Sequence, residues 1–205
     1  MTDPQTPTPD RANPRARDHR DTLAAAGAVV VLQAFAFGAS GSVSALAGLT
    51  ESALVLTGTL AVVFATRWRA GLPQVKDTVA EGMASLIQAG MALSAALIIG
   101  LIAIFAIFEP KPIGGGLWAV GAIAISLGPA AAIVALNHRS SAEMPRQTAS
   151  YADLVPGFVV LLGVTAGAVL NAPGLDAAAA LVVAVWLFWG ALGSISSAVG
   201  LLALD

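Results

Sequence analysis

Long stretches without charge dominate this chain, and they restrict its fold more than any motif does. Residues 41–58, GSVSALAGLTESALVLTG, hold only small, apolar and hydroxyl side chains apart from Glu51, and no further charge follows before Arg67. Such blocks recur along the sequence, and about 20 apolar residues suffice for one bilayer crossing. Only 11% of the 205 residues are charged and 57% are hydrophobic, with a mean hydropathy of +0.83. A soluble domain carries roughly a quarter of charged residues. The sequence therefore reads as an integral membrane protein. Its net charge of −2 points to no nucleic-acid partner, and without cysteine there is neither a disulfide nor a thiolate metal site.

The first 21 residues, rich in proline and charge, lack apolar periodicity and are expected to form a disordered cytoplasmic tail. The apolar segment behind them is too long for a signal peptide, and more spans follow it. Residues 22–205 form the membrane domain, with six spans expected near 22–38, 43–67, 78–108, 117–137, 142–171 and 176–202. The breaks GASG, RAGLPQVK, EPKPIGGG, NHRSSAEMPRQT and NAPGL all carry glycine, proline or charge. Ser140 with Glu143 fits a capping box ahead of the fifth span. Of the ten Lys and Arg residues, all but Lys111 fall on one side if six spans leave both termini in the cytoplasm.

Polar groups inside the spans carry the functional reading. On helix two, Ser44, Gly48, Glu51, Val55 and Gly58 share one face, expected to look into the bundle, while Leu46, Leu49, Ala53, Leu56 and Leu60 look to lipid. Glu51 lies roughly 13 Å along this helix at 1.5 Å per residue. A charge inside a span costs at least ~2.5–3.5 kcal/mol, so intramembrane acids are commonly functional. Asp153 is the second such acid, on helix five. Pro156, three residues on, would leave the carbonyl of Ala152 without its helical partner and so add a hard oxygen beside the carboxylate. A proline kink with a hydrogen-bonded Asp153 is the plainer reading.

Asp77 and Glu81 share a face at the start of helix three. They are weaker metal candidates, because negative charge at a helix N-terminus is favoured by the dipole alone. Gln33 and Gln88 read as interhelical hydrogen-bond partners rather than ligands. Gly82, Ser85, Ala89, Ala92 and Ala96 on helix three, and Gly190, Ser194 and Ser197 on helix six, form small-residue stripes suited to close packing. No Walker A sequence is present, and both histidines, His19 and His138, lie outside the spans, which excludes hydrolytic triads. An enzyme is not expected.

The segments SGSVSALAGLTESALVL, AEGMASLIQAG, EPKPI, SYADLVPG and LDAAAALVVAVWLFWGAL together resemble the membrane domain of the cation diffusion facilitator (cation efflux) family. The resemblance covers about residues 23–205 and implies an all-α, six-transmembrane-helix bundle, here without a C-terminal cytoplasmic domain. It further implies a homodimer contacting through helix three, in a bacterial inner membrane, exchanging a divalent cation such as zinc or manganese for protons. The family's site is a pair of His or Asp side chains four residues apart on each of helices two and five. Glu51 falls on the first helix-two position and Val55 on its partner; Asp153 falls on the second helix-five position and Ala149 on the first. The histidine-rich connection between helices two and three is reduced to LPQVKDTV.

A two-carboxylate site of Glu51 and Asp153 suits a harder ion such as Mn²⁺ or Mg²⁺ better than zinc, which prefers nitrogen and sulfur. The expected function is divalent-cation export in exchange for protons, with the metal as substrate and no resident cofactor. The alternative is a transport-inactive member serving as a structural or regulatory membrane partner.

Overall fold

The computed structural model describes residues 14–69, 77–140 and 154–203. They form six helices, and no strand occurs among the described residues: α1 (Pro14–Ser40), α2 (Val43–Arg69), α3 (Asp77–Phe108), α4 (Gly116–Ser140), α5 (Val155–Val169) and α6 (Pro173–Ala203). Four contain stretches long and apolar enough to cross a bilayer: Thr22–Ser40, Val43–Ala61, Gly82–Phe108 and Pro173–Gly200. α4 and α5 contribute shorter apolar stretches, Gly116–Ala132 and Val155–Val169. This is an all-helical chain with the spans of a membrane protein.

The helices arrange in two groups. α1, α2, α5 and α4 close a ring in which each touches the next, and α3 pairs along its length with α6 against α2 and α5. Lipid supplies no hydrophobic drive between helices, so association rests on close packing of small side chains. The core obeys this rule: Ala36, Ala45, Ala47, Ala103, Ala119, Ala122, Ala180 and Ala184 are buried in it, joined by Ile99, Ile123, Val160, Val164 and Val183. Large apolar side chains point outward instead, among them Ile87, Leu101, Phe105 and Phe108 on α3 and Val182 and Trp189 on α6.

The structure shifts several sequence expectations. α1 begins at Pro14, inside the segment read as a tail, because proline at a first helical turn loses no hydrogen bond and presets the helical φ; residues 1–13 lie outside the described residues. α4 runs through Ser140, so Ser140 ends a helix there, and Glu143 of the expected capping box lies outside the described residues. Pro156 stands in the first turn of α5, behind Leu154 as N-cap, where its missing N–H would have had no helical acceptor in any case. It therefore frees no carbonyl in the described helix, and Ala152 lies outside the described residues. Pro129 of α4, by contrast, stands inside its helix.

The two small-residue stripes differ in burial. Ala89 and Ala96 are buried at 2% and 3% exposure, on the side of α3 that packs within the chain. Further along, Gly100 comes close enough to α6 that a Cβ there would sit 3.8 Å from Cβ of Ala184. This stripe is used inside one subunit, so a dimer contact through α3 would fall to the Met83, Ile87 and Met91 side. Gly190, Ser194 and Ser197 are exposed, each serine hydroxyl donating to a carbonyl of its own helix (Gly190 and Gly193) at 3.0 Å.

Ala89→Leu should overpack α3 against its neighbours and cost about 1–3 kcal/mol, read as a lower melting temperature of the purified chain in detergent. Ser194→Leu, on the exposed face of α6, should stay within about 0.5 kcal/mol. Equal stability of the two variants would place the α3 stripe on the outside.

Candidate functional site

The site is built along α2, beginning at its junction with α1. Gly41 has a φ of +64°, the left-handed turn that ends a helix, and its N–H donates to the carbonyl of Phe37 at 2.7 Å. Ser40 Oγ donates to the carbonyl of Ala36 at 2.6 Å and accepts the N–H of Ser42 at 3.1 Å. Ser42 then caps α2, its Oγ accepting the N–H of Ala45 at 3.1 Å. These bonds fix where the first turn of α2 points.

That turn points at Asp176. Ser42 Oγ donates to Asp176 Oδ1 at 2.6 Å, the Val43 N–H donates to Oδ2 at 2.8 Å, and Ser44 Oγ donates to Oδ1 as well. Asp176 belongs to the first turn of α6 and is 2% exposed. One carboxylate thus takes three donors at the positive end of α2, where an anion is favoured. The approach depends on α5. A Cβ at Gly163 would lie 3.0 Å from Ser44 Oγ and overlap Ala179; one at Gly167 would lie 3.2 Å from Cβ of Asp176 and overlap Ile113. This Gly-x-x-x-Gly pair gives α2 and α6 room to meet beside α5.

Further along α2 the buried face is Ala45, Gly48 and Ser52, with Gly58 beyond. Glu51 is half-buried on its flank, and Val55, expected to look inward with it, is 45% exposed. The inward face is therefore rotated from the sequence expectation, toward the smaller Ser52 and away from the bulkier Val55. Two amides cover its glycines. Gln33 of α1 lies over Gly48, its Oε1 and Cδ occupying the space a Cβ would need, with Val160 of α5 alongside. Gln88 of α3 lies over Gly58 in the same way, its Cδ 2.8 Å from a Cβ there. Gln33 is 4% exposed, and its Oε1 is buried without a hydrogen-bond partner.

Of the expected ligands, Glu51 is thus seen within the bundle, while Asp153 and Ala149 lie outside the described residues. Asp77 opens α3 and Glu81 lies one turn on, at the helix N-terminus. Among the described residues, no three His, Cys, Asp or Glu side chains are grouped as a metal site would require. Sequence reasoning missed Asp176. Its signal was an acid at the head of an otherwise uncharged span, and its serine partners lie more than a hundred residues earlier in the chain.

No protein-family model matches this chain, and no curated protein matches it.

Asp176→Ala should strand three donors and cost about 3 kcal/mol, at ~1 kcal/mol for each buried group left unpaired. Ser44→Ala removes a single donor and should cost about 1 kcal/mol. Thermal unfolding in detergent would order the two, and a smaller loss for Asp176→Ala than for Ser44→Ala would remove the carboxylate from its structural role.

Proposed function

We propose that this chain is a membrane exporter of a divalent metal cation in exchange for protons, with both termini cytoplasmic in a bacterial inner membrane. The observation that carries the reading is Glu51: a half-buried acid within the apolar stretch Val43–Ala61, flanking a buried face of Gly48 and Ser52. An ionisable group at such a depth is costly to keep without a task. The resemblance of SGSVSALAGLTESALVL and SYADLVPG to cation diffusion facilitators supports the same assignment and names Asp153 as the second carboxylate.

The chemistry follows from those residues. Two carboxylates offer oxygen ligands and two negative charges, which neutralise one divalent cation. When the cation leaves toward the far side, the carboxylates can take up protons from there and release them at the cytoplasmic side as the next cation binds. Oxygen ligands favour Mn²⁺ or Mg²⁺ over softer ions.

Proteoliposomes loaded with a pH dye test this directly. A Mn²⁺ gradient should drive proton flux for the native chain, and Glu51→Ala and Asp153→Ala should each abolish it while expression and oligomeric state stay unchanged. Flux from the native chain no faster than in empty liposomes would favour the transport-inactive partner subunit instead.

A further inference from the structure

Gln33 sits inside the helix ring with a polar atom that nothing in the described chain satisfies. Its Oε1 is buried, and a buried acceptor left without a donor costs about 1–3 kcal/mol. The neighbouring hydroxyls offer no relief, because each spends its proton elsewhere. Ser44 donates to Asp176, Thr50 Oγ1 to the Leu46 carbonyl at 2.9 Å, and Ser52 Oγ to the Gly48 carbonyl at 2.9 Å. On the facing helices, Ser126 Oγ donates to the Ile123 carbonyl at 2.7 Å and Thr165 Oγ1 to the Leu161 carbonyl at 2.6 Å. The amide oxygen is held there by shape rather than by bonding, seated on the bare Cα of Gly48 beside Val160.

Its position relates it to Glu51. Gly48 and Glu51 are three residues apart on α2 and share a face. Gln33 is therefore seated against the turn of α2 that precedes Glu51. We propose that Gln33 is an oxygen ligand for the translocated divalent cation, supplied by α1 beside Glu51. This rests on the transport reading above and replaces the sequence reading of Gln33 as a hydrogen-bond partner only. An amide suits the place electrostatically. Beside the carboxylate of Glu51, a neutral oxygen adds coordination without adding another buried negative charge. Amide oxygens are also ordinary ligands of hard cations.

The test is Mn²⁺ titration of the purified full chain in lipid nanodiscs by calorimetry, with Gln33→Leu, Gln33→Asn and Gln33→Glu. Gln33→Leu should weaken Mn²⁺ binding about tenfold, equivalent to ~1.4 kcal/mol, yet melt no lower than the native chain without metal, since it removes an unsatisfied oxygen. Gln33→Asn draws the oxygen back by one methylene and should weaken binding as well, which keeps the test open if the leucine variant fails to fold. Gln33→Glu should bind at least as tightly as the native chain. If Glu51→Ala loses Mn²⁺ while both Gln33→Leu and Gln33→Asn bind it with native affinity, Gln33 is no ligand and a buried water satisfies its oxygen. If the native chain neither binds Mn²⁺ nor drives proton flux, the transport reading falls and this one with it.

Discussion

The carboxylate of Asp176 is the joint on which the described structure turns. The first N–H groups of a helix have no intrahelical acceptor, and lipid offers none, so a span that begins in the membrane must find its acceptors within the protein. α2 finds them in Ser42 and in Asp176 of α6. Three chain connections converge at this end. The α1–α2 turn supplies Ser42, and the α5–α6 turn, through Asn171 at a φ of +53°, leads into the first turn of α6, which supplies Asp176. The α3–α4 connection closes over both, with the N–H of Gly114 donating to the carbonyl of Ser40 at 3.0 Å. Gly115, at a φ of +62°, presses so near the Ala39 carbonyl that any side chain would collide with it. One end of the bundle is thereby tied together by backbone and carboxylate at once.

α2 is the element that every neighbour but α4 reaches, and its inward face is made for that position. Gly48 and Gly58 each accept an amide side chain from a different helix, Gln33 from α1 and Gln88 from α3. A methyl at either position would push the amide out, so the bare backbone is a requirement of close approach here rather than a conformational one. The hydroxyls between them, Thr50, Ser52 and Thr57, close hydrogen bonds onto their own helix and so add polarity without demanding partners. What remains is a narrow face lined by glycine, serine and amide, set between apolar helices.

Much of the architecture was legible from the sequence because hydropathy is a local signal. The helix ends at 40, 43, 77, 108 and 116 fall within two residues of where glycine, proline and charge place them. The faces were less legible, since a stripe of small residues says that something packs closely without saying what. Ala89 and Ala96 pack inside the subunit and Ser194 does not, although both stripes look alike on a helical wheel. Pro156 and Pro129 show the same limit. Both sit in apolar runs, and only the position of the helix start tells the first-turn proline from the interior one. The Asp176 clasp was beyond reach, because it joins residues from the second and sixth helices and each half reads alone as ordinary capping chemistry.

Asp176 and Glu51 differ in their surroundings. Asp176 is fully buried and holds three donors, so a cation binding there would have to displace each of them and strand the start of α2. Leaving a buried donor unpaired costs about 1–3 kcal/mol, and three such losses would cancel most of what a mobile ion could offer. A carboxylate that the fold needs in one state is a poor carrier of an ion that must come and go. Glu51 stands in different company. It flanks a face whose hydroxyls are already satisfied, three residues from the glycine that seats an unsatisfied amide oxygen. In the transport reading proposed above, a cation at that level would gain the amide oxygen of Gln33 as a ligand. The same economy explains why the clasp and the proposed site occupy different depths of α2: the end that must stay closed has its bonds made, and the middle, where exchange is proposed, keeps an acceptor in reserve.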